Sequence, residues 1–181
     1  MKYKKSSGFT LVEVLVVAAI TGVISTFMII NFQRTRLDLN EIGNVLIGEI
    51  RSAQTKANAS ARFNDGGGAG SVIRCGYGIH YEGVTSYSLY VGPNATVQNC
   101  SSQNRNLDAN DFKILPVKNF ADSRVEFKAA FTDMFFESPG PITYLNNSSI
   151  SASINITIGK KSGTCPQDCK TINVSTSGKI E

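Results

Sequence analysis

Lys4-Lys5-Ser6-Ser7-Gly8-Phe9-Thr10-Leu11-Val12-Glu13-Val14-Leu15-Val16 opens the stretch that decides the fold, and the apolar character continues to Ile30. Residues 9–30 form a 22-residue run whose only ionisable side chain is Glu13. As a helix rising about 1.5 Å per residue, the run reaches roughly 33 Å, enough to cross a bilayer. A secretory signal places its small-residue cleavage site after a short apolar core. Here Ser6, Ser7 and Gly8 precede the run, so processing at them would leave the helix on the mature chain. A carboxylate inside such a helix costs roughly 2.5–3.5 kcal/mol on insertion scales, so Glu13 calls for a partner or a function.

This order resembles the class III signal of type IV prepilins and type II secretion pseudopilins. The shared features are a basic leader, Gly8 directly before Phe9, Thr10-Leu11-Val12-Glu13, and a long apolar helix. The resemblance implies that prepilin peptidase cuts the Gly8–Phe9 bond on the cytoplasmic side and that Phe9 is then N-methylated. It implies that Glu13, fifth in the mature chain, neutralises the freed amine of a neighbouring subunit. It further implies other pilin or pseudopilin subunits, an inner-membrane assembly platform and membrane lipid as partners. The expected place is the bacterial inner (cytoplasmic) membrane, single-pass, with the globular domain outside the cytoplasm. Gly22 stands where related filaments carry a glycine, and Ile30 stands where major pilins often carry proline, which points toward a pseudopilin.

The rest of the chain suits one modest domain. Of 18 basic side chains, Lys2, Lys4 and Lys5 lie in the leader, so residues 9–181 carry 15 against 14 acidic ones. That balance gives no electrostatic case for nucleic acid as a partner. Four cysteines, Cys75, Cys100, Cys165 and Cys169, follow an export segment, which favours disulfides over a metal. Three pairings are open, of which Cys75 with Cys100 and Cys165 with Cys169 close local loops. Zinc is disfavoured because the first pair is too widely spaced and His80 has no second histidine. No cofactor is expected.

Past residue 30 the pattern turns amphipathic: Leu39, Ile42, Leu46, Ile50, Ala53 and Ala57 recur at helical spacing. The glycine-rich 64–70 stretch ends this helix and lacks the GK[ST] of a phosphate loop. Two β-rich runs, 72–81 and 86–91, predict a hairpin with Tyr77, Ile79 and Tyr81 on one face and Tyr87, Leu89 and Val91 on one face. Shorter strands are predicted at 112–117, 124–128, 134–137 and 142–145. A terminal hairpin over 151–158 and 171–175 is predicted, with Cys165 and Cys169 in its loop. The expected fold class is therefore α+β: a long N-terminal helix, membrane-spanning in its first half, packed on a β-rich antiparallel domain as a pilin-like lollipop. The expected divisions are leader 1–8, transmembrane helix 9–30, amphipathic continuation 31–63 and globular domain 64–181. Residues 45–180 also resemble the H-class minor pseudopilins, through Ala53-Gln54 with Ala57, Gly76-Tyr77-Gly78-Ile79-His80-Tyr81, Tyr87-Ser88-Leu89-Tyr90 and the closing Gly178-Lys179-Ile180-Glu181. That likeness implies a helix followed by two antiparallel sheets. The chain departs from it in lacking tryptophan and in its extra cysteines.

The sequence holds no catalytic constellation. His80 stands in a predicted strand with no evident partner for general base work, and no Gly-x-Ser-x-Gly occurs. Asp108 with Asp111, and Asp122 with Glu126, are read as solvated surface carboxylates. The expected function is a structural subunit, minor and pseudopilin-like, of a type II secretion pseudopilus or type IV pilus. Two alternatives compete with it. One is a DNA-binding minor pilin using Lys160, Lys161, Lys170 and Lys179; the other is an uncut membrane-anchored binding protein.

Overall fold

The computed structural model describes residues 10–64, 70–96, 99–140, 142–176 and 178–181, and of residues 30–38 the backbone alone. Gly8 and Phe9 lie outside the described residues. The chain divides within its long helix α1 (Leu11–Asn58) into two compact units, Met1–Asp38 and Leu39–Glu181.

In the first unit, Leu11–Ile29 is long and apolar enough to cross a membrane, and its side chains are exposed. The hydroxyls within it close on the helix itself. Thr21 Oγ1 donates to Val17 O at 2.9 Å, Ser25 Oγ to Thr21 O at 2.8 Å and Thr26 Oγ1 to Gly22 O at 2.9 Å. Back-bonding of this kind satisfies groups that would otherwise stand open in hydrocarbon.

In the second unit the helical stripe is the spine of the core. Leu39, Ile42, Leu46, Ile50, Ala53 and Ala57 are each at most 7% exposed. The helix stops at Asn58 through a Schellman-type closure. Ser60, at φ 46°, donates its N–H to Ala57 O at 2.9 Å, and Ala61 N–H reaches back to Lys56 O at 2.8 Å.

The strands that follow are β1 (Arg62–Phe63), β2 (Val72–Ile73), β3 (Gly76–Gly83), β4 (Ser86–Val91), β5 (Phe112–Lys113), β6 (Lys118–Asn119), β7 (Val125–Phe127), β8 (Asp133–Glu137), β9 (Thr143–Leu145), β10 (Ser148–Ser149), β11 (Ile154–Lys160) and β12 (Cys169–Val174). Seven form a sheet in the order β10-β9-β8-β3-β4-β5, with β6 also on β4; β12-β11-β7 form a second sheet, and β1-β2 a short pair. Every pairing is antiparallel. The α+β, antiparallel architecture expected from the sequence is therefore present.

Register explains which side chains enter the core. Tyr77 opposes Val91, Ile79 opposes Leu89 and Tyr81 opposes Tyr87, so the two apolar faces expected of the hairpin coincide. Ile156 and Ile158 of β11, with Ile172 and Val174 of β12, join the same buried cluster as the helical stripe. Residues 178–181 run beside β12, where Glu181 and Asn173 exchange backbone hydrogen bonds of 2.8 and 2.9 Å. Arg51 Nη2 of α1 donates to Ile180 O at 3.0 Å.

Two expected strands are broken. The 72–81 run is interrupted at Arg74 and Cys75, because Arg74 bridges to Asn94 and Cys75 N–H donates to Pro93 O. The 112–117 run pairs with β4 at Phe112–Lys113, with one more backbone bond from Ile114 N–H to Leu89 O at 2.9 Å; the ladder resumes at β6, beyond Pro116, which has no N–H to donate. The cysteines are joined Cys75–Cys100 and Cys165–Cys169, 25 and 4 residues apart.

Candidate assembly site and the polar surfaces

Thr10 and Glu13 start α1 as a reciprocal pair. Thr10 N–H and Thr10 Oγ1–H donate to Glu13 Oε2 at 2.8 and 2.9 Å, and Glu13 N–H donates to Thr10 Oγ1 at 3.2 Å. This is a capping box, in which the first turn satisfies two of its own orphan N–H groups. The glutamate, read from the sequence as a charge lacking a partner, thus has a local one. Reading Thr10-x-x-Glu13 as a box would have found it. Both residues are exposed, so a carboxylate oriented by Thr10 remains open to a second donor.

The outward face of the seven-stranded sheet carries polar rows. Asp133, His80 and Ser88 are direct cross-strand neighbours on β8, β3 and β4. His80 Nδ1 lies 2.9 Å from Asp133 Oδ1, and Asp133 is 1% exposed. The expectation of an unpartnered imidazole is therefore corrected, since strand pairing supplies a carboxylate 53 residues away. The row still offers no nucleophile. Ser88 is fully buried and its hydroxyl donates to Glu82 Oε1 at 2.6 Å, while Lys113 Nζ holds the same oxygen at 2.6 Å.

Residues 99–111 lie against this face. Tyr90 OH donates to Arg105 O at 2.6 Å, and Arg105 N–H donates to Asn147 Oδ1 at 2.9 Å. The Arg105 guanidinium sits 4.2 Å from the Tyr144 ring centroid and 3.3 Å from the Glu137 carboxylate. Asp111 is correspondingly not a solvated group. Burial pushes its carboxyl up to about 7; Asp108 and Asp133 repel its charge, while Arg74 and the Asp108 backbone favour it. Arg74, 1% exposed, lies 5.7 Å from the Phe63 ring and 5.1 Å from the Phe112 ring. Neither its burial nor its aromatic flanks were legible locally, because they depend on β1 and β5 meeting it. Asp122 and Glu126 are paired rather than merely solvated, with Arg124 and Lys128 at 2.7 and 3.0 Å.

Three of the four lysines considered for DNA, Lys160, Lys170 and Lys179, are held by local partners. Lys160 pairs with Asp168 at 2.9 Å and Lys179 pairs with Glu181. Lys170 runs along α1 and donates to Asn44 Oδ1 at 2.8 Å, in a notch that Gly43 leaves open. Among the described residues no cluster of three or more His, Cys, Asp or Glu is suited to a metal.

A first-turn carboxylate heads an apolar helix, Leu11–Ile29, long enough to cross a membrane once, and a β-rich unit follows it, the layout of a membrane-anchored protein. The sequence model of the prokaryotic N-terminal methylation motif matches residues 3–29. With that motif joined to its apolar helix, the chain fits the type IV pilin and pseudopilin family. The motif implies processing by prepilin peptidase and assembly with other pilin subunits. Comparisons with curated proteins and with solved structures gave no significant match.

Proposed function

We propose that this chain is a minor, pseudopilin-type structural subunit of a type II secretion pseudopilus or type IV pilus, without enzymatic activity. The methylation motif at residues 3–29 carries the reading. Prepilin peptidase cuts Gly8–Phe9, Phe9 is N-methylated, and residues 9–30 hold the product in the inner membrane until the assembly platform moves it into a filament. Glu13 then receives the α-amine of an adjacent subunit, whose charge it offsets within hydrocarbon, where an unpaired carboxylate is costly. The division that goes with this role is leader 1–8, span 9–30, a helical continuation that stops at Asn58 rather than at residue 63, since Arg62–Phe63 pair as β1, and the β-rich domain after it. Two disulfides support an oxidising location for the β-rich unit, outside the cytoplasm.

The DNA-binding alternative loses support because Lys160 and Lys179 are paired with carboxylates and Lys170 is held on Asn44. The test is intact mass and N-terminal analysis of the protein expressed with and without a prepilin peptidase. A product beginning at methylated Phe9 only when the peptidase is present is expected. A chain that keeps Met1 beside an active peptidase would overturn the reading.

A further inference from the structure

Beside β8 and β9 the outward face of the large sheet holds a cavity of about 420 Å³, within the roughly 300–1,000 Å³ of small-molecule sites. Phe135 opposes Tyr144, so by strand alternation Glu137 and Tyr144 stand on the same face and line it. Ser101, Arg105, Ser138 and Ile142 contribute to the rest of the lining. Its walls are preformed. Cys100 is bonded to Cys75, Tyr90 OH donates to Arg105 O at 2.6 Å, and Arg105 N–H donates to Asn147 Oδ1 at 2.9 Å. The guanidinium is held in turn, by Nη1 donating to Gln103 O at 2.9 Å and by the Tyr144 ring centroid at 4.2 Å. Its Nη2 is not spent on any one acceptor. It lies 3.4 Å from Cys100 O and Ser101 O and 3.3 Å from both Glu137 oxygens, all longer than the roughly 2.7–2.9 Å of a charge-assisted bond. The two serines donate inside the protein, Ser101 Oγ to Asn99 Oδ1 at 2.8 Å and Ser138 Oγ to Ser60 Oγ at 2.9 Å, so each oxygen keeps lone pairs to offer.

We propose that this cavity is a carbohydrate site, taking one neutral pyranose unit between Arg105, Glu137 and Tyr144. The lining offers one strong donor, Arg105 Nη2, against an acceptor set of the Glu137 carboxylate and two serine oxygens. A ligand that fits must therefore donate several hydrogen bonds and accept at least one. An ammonium group can donate but is repelled by Arg105, and a carboxylate can accept but is repelled by Glu137. A polyol does both without charge, since each hydroxyl is donor and acceptor at once. Adjacent hydroxyls on a pyranose ring can face Arg105 and Glu137 together, and Ile142, 50% exposed, gives apolar surface to the C–H face of the ring. The held guanidinium and the disulfide mean that little ordering is left to be done on binding, which favours affinity in so small a site. The inference does not depend on the filament reading, because none of these residues belongs to the N-terminal motif.

The test titrates the full chain, in micelles of a sugar-free detergent, with the methyl glycosides of glucose, galactose and N-acetylglucosamine, and follows backbone amide shifts by NMR. At least one should saturate with a Kd of ~1–10 mM, the range open to about a dozen heavy atoms at ordinary ligand efficiency. The shifts should fall on residues 101–105 and 137–144, with the amides of β11 and β12 unmoved as the reference. Methyl glucosaminide and methyl glucuronide should each bind more weakly than methyl glucoside. Arg105→Lys, which keeps the charge and loses the planar fork, should weaken binding ~10-fold, and Ile142→Ser at the exposed apolar wall ~3-fold. No saturation by any of the three neutral glycosides, shifts confined to other residues, or a glucuronide bound more tightly than the glucoside would overturn the sugar site. If Arg105→Lys disturbs the reference amides, Ile142→Ser decides: weaker binding supports the site and unchanged binding overturns it.

Discussion

The ring of Tyr90 occupies the space that a side chain at Gly78 would need: a Cβ at position 78 would lie 2.5 Å from Tyr90 Cε1. Tyr90 is fully buried and stacks on Phe135 at 5.9 Å, so the ring has nowhere to retreat. Gly78→Ala is therefore expected to cost about 1–3 kcal/mol through overpacking, against a smaller loss of about 1 kcal/mol for Tyr90→Phe, which gives up only the hydrogen bond to Arg105 O. Thermal denaturation of the two variants checks the order. Equal or reversed losses would show that the ring is not pinned.

Asp111 should make stability fall as pH rises. Its folded carboxyl, pushed up to about 7 mainly by burial, holds a proton that the unfolded chain releases near the ordinary aspartate value of 3.8. The native state binds more protons across that window, so the stabilisation is full at acid pH and is lost between about pH 4 and 7. The group is only partly buried, so the swing is discounted to about 1–2 kcal/mol for solvent screening. Asp111→Asn should accordingly flatten the pH profile and be the more stable form at pH 8. Denaturant midpoints at pH 5 and pH 8 supply the measurement.

Thr10 and Glu13 separate two roles that share one carboxylate. Thr10→Ala removes the cap and should cost about 1 kcal/mol of helix-start stability, yet it leaves the charge for a neighbour's amine. Glu13→Gln retains a side chain able to complete the box while losing the charge. Filament incorporation, assayed by comparing sheared filaments with the membrane fraction, should survive the first change and fail in the second. Cleavage, read from the N-terminal mass, should proceed in both. Incorporation of Glu13→Gln at the wild-type level would remove the assembly role.

The two disulfides should differ in their effect. Chain-entropy arithmetic gives about 3.5 kcal/mol for the 25-residue loop of Cys75–Cys100 and about 2 kcal/mol for the 4-residue loop of Cys165–Cys169. Paired Cys→Ser replacements, compared by urea midpoint, should rank in that order. The larger loss would also loosen residues 99–111, whose N-terminal tether is Cys100.

Elements whose partners lie close along the chain were the legible ones. The 39–57 stripe showed because burial follows the helical repeat, and each of its six apolar positions is buried. The β3–β4 and β11–β12 hairpins showed because alternation and turn residues coincide. β1, β6 and β10 did not, since two-residue strands carry no period to read. Of the site residues, Glu13 stood out because a charge in an apolar run is conspicuous, whereas its Thr10 partner was hidden in a motif read for cleavage. The pairing of His80 with Asp133, the burial of Arg74 and the crowding at Asp111 arise from strand order and loop docking. These are distant relationships that no local pattern encodes.

The hydrogen bond from Arg51 to Ile180 spans 129 residues, and residues 178–181 complete the edge of β12. During synthesis the apolar stripe of α1 leaves the ribosome long before the strand that finishes its cover. The unit therefore closes late in synthesis, after an interval in which Leu46, Ile50 and Ala53 lack their full cover. Nascent chains arrested before residue 178 should accordingly be far more protease-sensitive than chains arrested with Glu181 well beyond the exit tunnel.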